Sequence, residues 1–184
     1  EIAELPPPGN LRHISGRGFR VLRKSISEQP GFWLLVPNME KKYWIQKAED
    51  AGALSASEND WKILRVENKI PLEGVDYPDK SIPQQANRLC AVSFSKGCYL
   101  GQEIVERVRS RGNLNRILLG VEIDSTEPLS PNSPVLWQDK EVGHLTSPIF
   151  SPTVRKVLAF SCLRTEVPHN AALTVGGCAA RVRQ

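Results

Sequence analysis

The sequence contains no apolar run that approaches the roughly 20 residues needed to cross a bilayer. Its start shows no basic, apolar or cleavage-site pattern of an export signal. These absences predict a cytoplasmic protein without membrane association. The chain does not begin with methionine, so we expect the complete protein to extend upstream of Glu1.

Cysteine and histidine are scarce, with four cysteines and three histidines among 184 residues. The cysteines, at positions 90, 98, 162 and 178, include no C-x-x-C pair and no cluster with histidine. A closed zinc site needs such clustering, so we predict no metal site. A chain of this length with 40% hydrophobic residues does not need disulfides to fold, so we expect reduced thiols.

The first part of the chain has α+β patterning. Residues 18–23 and 32–36 are typical of strands, and residues 37–51 have helical spacing. Ser57 and Asp60 predict the capping box of a second helix. Two strands and two helices bury too little to fold alone, which favours the later part of a larger α+β domain over strands borrowed from a partner.

The last 70 residues change to short strand-like segments separated by turn residues. These segments are 116–123, 133–137, 141–146, 154–164 and 172–183. Their number, length and turns predict a small antiparallel β-barrel. We therefore predict two domains, residues 1–112 and 113–184, with an irregular, proline-broken connection at 68–95 in the first.

An unusual group of residues lies between this connection and the barrel: Lys96, Gly97, Cys98, Tyr99, Gly101, Gln102 and Glu103. An amphipathic helix is predicted for residues 102–110, ended by Gly112. Cys98 precedes the positive end of this helix and has Lys96 nearby, which are conditions that stabilise a thiolate. Cys98 is then either a reactive or ligating thiol or a small buried residue, as most free cysteines are.

A basic segment overlaps this group. Residues 96–116 hold five cations, at positions 96, 107, 109, 111 and 116, against two anions, at positions 103 and 106. The segment either faces an anionic partner, RNA included, or is a solvated basic helix.

Four tryptophans are available to a binding site. Trp44 has the helical spacing of a core residue, whereas Trp33 and Trp61 either lie in the core or offer a flat face to a planar ring.

The segment 61–112 resembles the YgfZ-type folate-binding proteins, a branch of the glycine-cleavage T-protein superfamily. The matching strings are WKILRVENKIP at 61–71, IPQQAN at 82–87 and SFSKGCYLGQE at 93–103, followed by Arg107 and Arg111-Gly112. GHLTSPIFSP at 143–152 resembles the C-terminal barrel of the superfamily.

The resemblance implies an α/β folate-binding body, whose N-terminal part with its aspartate loop lies upstream of Glu1, and then a β-barrel. It implies that the body holds tetrahydrofolate or a one-carbon derivative, with Trp61 and Trp33 against the folate and Cys98 needed for activity. It also implies a role in the assembly or repair of iron–sulfur proteins, with these proteins or their assembly factors as partners, and a link to tRNA modification.

The alternative is a folate-dependent aminomethyltransferase. In that branch of the superfamily a glutamate aligns with Trp33 and an arginine with Trp61, and the cysteine motif is absent. Trp33 and Trp61 can stack on the ligand, but they cannot form the hydrogen bonds that a glutamate and an arginine at these positions would form. The resemblance therefore favours folate binding over aminomethyl transfer.

Overall fold

The computed structural model describes residues 12–112 and 114–183. The chain divides into two compact units, one through Leu64 and one from Arg65 onward. In the described ranges, no helix combines the length and the apolar character that a membrane crossing requires.

The first unit contains a three-stranded antiparallel sheet in the order β1, β2, β3. Its strands are β1 (His13–Gly16), β2 (Phe19–Arg23) and β3 (Phe32–Leu35). Helix α1 covers Lys41–Asp50, and helix α2 covers Glu58–Glu67. The two strands and two helices predicted for this region are confirmed. β1 was not predicted, because its four residues include a glycine and a single large apolar residue, which is a weak pattern for a strand.

The capping box predicted for α2 is present. The Asp60 backbone N–H donates to the Ser57 hydroxyl at 3.1 Å, and the Ser57 N–H donates to the Asp60 carboxylate at 2.8 Å. The Ser57 hydroxyl, which donates to the Asp60 carboxylate at 2.7 Å, and then the Ser57 N–H hold the pKa of Asp60 below its usual value, because they stabilise the charged carboxylate. The start of α2 is therefore determined by two residues three positions apart, Ser57 and Asp60.

Little apolar surface is covered in the first unit. Among its described residues Val21 alone is buried, and all four residues of β3 are exposed. Trp44 is half-buried rather than a core residue: its ring lies 5.2 Å from that of Phe19, and its Nε1 donates to Glu40. The expectation that these elements bury too little to fold alone agrees with this exposure.

The second unit contains the predicted β-barrel, closed by six strands. They are β4 (Arg116–Ile123), β5 (Pro134–Trp137), β6 (Lys140–Ser151), β7 (Lys156–Arg164), β8 (Leu173–Val175) and β9 (Cys178–Val182). All pairs are antiparallel, in the order β4, β7, β6, β5, β8, β9, and pairing of β4 with β9 closes the ring. The segment predicted at 172–183 is two strands, because Gly176 and Gly177 turn the chain at φ of 56° and 80°.

The barrel interior is a continuous core of branched side chains. Val121, Ile123, Val135, Leu145 and Val175 are fully buried there. The alternation of buried and exposed residues along β4, β8 and β9 is what the period of two in the sequence predicts. The core of the described chain is thus concentrated in the barrel.

The irregular connection 68–95 belongs to the second unit because it packs on the barrel. The Leu118 N–H donates to the Gln85 carbonyl at 2.7 Å, and Tyr77 packs against a small cluster that contains Leu118, Leu158 and Phe160. The division of the chain into two compact units falls between Leu64 and Arg65. The domain boundary near residue 113 stays a prediction.

Gly143 in β6 lies close to side-chain and backbone atoms of β7. A Cβ at this position would lie 2.7 Å from the Ser161 Oγ and 2.9 Å from the Cys162 carbonyl oxygen. We expect Gly143→Ala to lower the free energy of unfolding by about 1–3 kcal/mol, because the neighbouring backbone must move. Gly120→Ala is the matched control in β4, where the nearest atom would be 3.5 Å away and the expected change is within about 0.5 kcal/mol. Urea unfolding of both variants checks the prediction, and equal stability would contradict it.

Candidate functional site

The string SFSKGCYLGQE forms the loop and the first turn of helix α3 (Gln102–Arg111). Gly101 is the N-cap of this helix at φ 87°, and Gly112 ends it at φ 65°. Both conformations are left-handed, which only glycine adopts at little cost. The predicted helix and its C-terminal stop are confirmed, and Gly101 has a structural reason to be glycine.

Cys98 lies in the exposed loop before α3, three residues ahead of the N-cap. The Lys96 ammonium lies 4.4 Å from the centre of the Tyr99 ring, a cation–π contact within the loop. Leu100, two residues after the cysteine, is fully exposed. The thiol is therefore open to a partner or substrate, and the alternative that Cys98 is a small buried residue does not hold in this structure.

The remaining cysteines differ in exposure. Cys90 is exposed, whereas Cys162 and Cys178 are half-buried in the barrel, and all four thiols are free. Burial raises the pKa of the Cys162 thiol, opposed by the nearby Arg116 guanidinium. Exposure thus separates Cys90 and Cys98 from the two barrel cysteines.

The arginines of the basic segment have different environments. Arg107 and Glu103 form an ion pair at 2.6 Å along the helix, and Arg109 lies 3.6 Å from Glu106. Arg116 instead donates to the carbonyl oxygens of Val142 and Cys162 in the barrel. Gln102, at the first helical position, is half-buried. The exposed positive charge of the segment is therefore carried by Lys96 in the loop and by the arginines of α3 rather than by Arg116.

Trp33 and Trp61 lie in the first unit, separate from the unit that holds Cys98. Trp33 in β3 is 47% exposed, with the Lys24 ammonium 4.5 Å from the ring centre, and Trp61 in α2 is 38% exposed. An indole with this much exposed face can stack on a planar ring. Trp137, by contrast, packs against the barrel core.

A buried polar network that the sequence does not reveal lies where α2 enters the second unit. The Arg65 guanidinium donates to the Asp76 carboxylate at 2.7 Å, and each residue is 3% exposed. The Ser147 hydroxyl donates to the other Asp76 oxygen at 2.6 Å and accepts from Arg65. The Leu72 N–H also donates to Asp76. The network joins the end of α2, the connection and β6 inside the second unit.

Within the described ranges, no group of three or more His, Cys, Asp or Glu side chains is placed to hold a metal ion. The motif residues therefore offer a single exposed thiol rather than an assembled ligand set.

Residues 116–181 match the family of glycine cleavage T-protein C-terminal barrel domains. A solved structure, the aminomethyltransferase T of Bartonella henselae, superposes with a TM-score of 0.84 at 17% identity, covering 96% of this chain and 53% of that one. The predicted fold, an α+β T-protein-like body followed by a small antiparallel barrel, is thereby confirmed.

Curated relatives fall into two groups. An aminomethyltransferase of Rippkaea orientalis is 28% identical over 143 residues, which cover 77% of this chain and 38% of the relative. The tRNA-modifying protein YgfZ of Hamiltonella defensa is 40% identical over 75 residues, which cover 40% of this chain and 22% of the relative. The chain thus spans less than half the length of these curated relatives.

The barrel match and these relatives support a similarity to the glycine-cleavage T-protein superfamily, and the superposition shows the same fold. The relatives named tRNA-modifying protein YgfZ agree with the resemblance that the cysteine-containing string carries.

Proposed function

We propose that this chain is part of a reduced-folate-binding protein that supports the assembly or repair of iron–sulfur proteins and, through them, tRNA modification. The observation that carries the proposal is the pair of half-exposed indoles, Trp33 and Trp61, in a unit with little covered apolar surface. The pyrimidine ring of a reduced pterin is flat, and stacking on such an indole contributes beyond the burial of apolar area. Tetrahydrofolate or a one-carbon derivative is the ligand proposed for them.

Cys98 is proposed as the reactive group. Its exposure in the loop before α3 leaves the sulfur accessible, which a thiol needs to act as a nucleophile or as a transient ligand. The proposed partners are iron–sulfur proteins or their assembly factors, in the cytoplasm. The names of the YgfZ relatives, which are tRNA-modifying proteins, support the link to tRNA.

The folate proposal is tested by titrating the intact protein with tetrahydrofolate while tryptophan fluorescence is recorded. We expect quenching in the wild type and a loss of affinity of about tenfold or more in Trp61→Leu, since stacking on an indole and burial against it together contribute about 1–3 kcal/mol.

Trp137→Phe is the matched control for this titration. It removes an indole that packs against the barrel core of the other unit, so the folate affinity should be unchanged. Absence of quenching in the wild type, or equal affinity in Trp61→Leu, would reject the proposal.

A second candidate is aminomethyl transfer itself, favoured by the aminomethyltransferase relatives and by the superposition. Indoles at positions 33 and 61 weigh against it, because they cannot supply the charged hydrogen bonds that the resemblance assigns to these positions in the transferases. A glycine-cleavage assay of the intact protein distinguishes the two: turnover supports the transferase, and folate binding without turnover supports the first proposal.

A further inference from the structure

A cavity of about 220 Å³ lies in the second unit, where the connection packs on β4 and β7. Four polar side chains line it: Lys69, Asn87, His169 and Arg183. Each of these side chains carries an N–H donor. The other lining residues that the structure describes are apolar or glycine, so none of them brings a carboxylate to the cavity. The volume is below the roughly 300–1,000 Å³ of typical small-molecule sites, which suits a small ligand.

Lys69 occupies a position at which glycine is usual. The Ile70 N–H donates to the Arg65 carbonyl at 2.7 Å. The Lys69 N–H donates to the Val66 carbonyl at 3.2 Å, and the two bonds form the Schellman motif that ends α2. Lys69 has the left-handed φ of this motif, 54°. Glycine adopts this conformation at little cost, whereas lysine is strained there, so the backbone alone gives no reason for a lysine.

Asn87 lies at a second turn of the same kind. The Arg88 N–H donates to the Pro83 carbonyl at 2.8 Å, and the Asn87 N–H donates to the Gln84 carbonyl at 3.2 Å. Asn87 has a φ of 53°, so two left-handed residues other than glycine line one cavity. Residues in such conformations concentrate at ligand sites, where the surrounding structure maintains the strain.

Arg183 is a half-buried cation in the cavity wall. Its Nη1 donates to the Val66 carbonyl at 2.9 Å and its Nη2 to the Glu67 carbonyl at 3.0 Å, at the negative end of α2. A guanidinium has five N–H donors, so these bonds use two of them. The Glu67 and Glu122 carboxylates do not line the cavity. Glu67 accepts a bond from the Ser151 hydroxyl, and Glu122 pairs with other cations.

Two of the cationic side chains converge over Gly120 in β4. A Cβ at Gly120 would lie 3.5 Å from the Arg183 Cβ and 3.9 Å from the Lys69 Cγ. Like charges on neighbouring side chains repel each other, and an anion between them would remove that repulsion.

We propose that this cavity binds the phosphate group of a small anion. Lys69 and Arg183 supply the positive charge, and the Asn87 amide and the His169 imidazole donate to the remaining oxygens. Phosphate fits this set because it offers several acceptor oxygens and more than one negative charge to N–H donors. The site is separate from the proposed folate site, since Trp33 and Trp61 belong to the other unit.

The test is isothermal titration of the intact protein at low ionic strength with inorganic phosphate and with ribose 5-phosphate. Neither probe contains an aromatic ring, so neither reports on the indoles. Acetate is the matched ligand control, an anion with one charge and two oxygens, and it should bind more weakly. Equal affinity for the two phosphates identifies a site for the group alone, and tighter binding of ribose 5-phosphate identifies a site for an organic phosphate. Either result supports the proposal, and absence of binding by both at millimolar concentration overturns it.

Lys69→Gly separates binding from folding. It should weaken phosphate binding about fivefold, as expected for the loss of one exposed charge contact, while Tm does not fall, because glycine suits the left-handed backbone. Arg155→Gly is the matched control, since it removes a cation from another left-handed position, at φ 56°, outside the cavity wall. His169→Ala, at an exposed residue, should also weaken binding. Equal phosphate affinity in wild type, Lys69→Gly and His169→Ala overturns the proposal, as does a lower Tm of Lys69→Gly with unchanged affinity.

Discussion

Replacing Asp76 with leucine is expected to lower the free energy of unfolding by about 3–5 kcal/mol. The carboxylate is buried and receives bonds from Arg65, Ser147 and the Leu72 N–H. Its removal leaves the Arg65 charge buried with the Ile70 carbonyl and the Ser147 hydroxyl as its remaining hydrogen-bond partners among the described residues. An uncompensated buried charge is strongly destabilising, whereas the pair itself contributes little.

A double-mutant cycle separates these two effects. Arg65→Met with Asp76→Leu removes both charges, so the double variant should be more stable than the sum of the single losses predicts. Asp79→Leu is the matched control, an exposed aspartate in the same connection, with an expected change within about 0.5 kcal/mol. Denaturant unfolding is measured for the wild type, the two single variants, the double variant and the Asp79→Leu control. A loss below about 1 kcal/mol in Asp76→Leu would show that the network is not an anchor of the connection.

Replacing Cys98 with alanine is expected to abolish the support of iron–sulfur enzyme activity in cells. The reason is that alanine keeps the loop backbone while removing the exposed sulfur on which the proposed function depends. Little change in stability is expected, because the side chain is exposed. The measurement is the activity of an iron–sulfur enzyme in a deletion strain that carries the variant at wild-type protein level.

Cys90→Ala is the matched control, since Cys90 is also an exposed free thiol but lies outside the motif loop. It should restore activity fully. Full restoration by Cys98→Ala would reject the role of the thiol, and equal loss in both variants would point to a general loss of thiols rather than to this cysteine.

The barrel was predictable from the sequence because each of its decisive features is local. Turn residues such as Gly176 and Gly177 break the chain at defined points, and alternating side chains mark the inner face of each strand. The helix at 102–111 was predictable for the same reason, with an apolar stripe and a glycine at its end. The packing of the connection 68–95 on the barrel was not predictable, because its contact with β4 through Gln85 joins residues far apart in the chain.

The candidate site was predictable only in part. The motif around Cys98 lies in one short stretch, so the sequence identified it and placed it before a helix. The network of Arg65, Asp76 and Ser147 was missed, because its members are distant in sequence and none has a distinctive neighbour. The convergence of Lys69 and Arg183 over Gly120 follows from tertiary packing and has no sequence signature.

Binding of reduced folate against an exposed indole is tested most directly by a crystal structure of the intact protein with tetrahydrofolate. We expect the pterin to stack on Trp61, with ring centres about 4.5–7 Å apart, and Trp33 to contact the same ligand. A pterin bound away from both Trp33 and Trp61 would contradict the proposal.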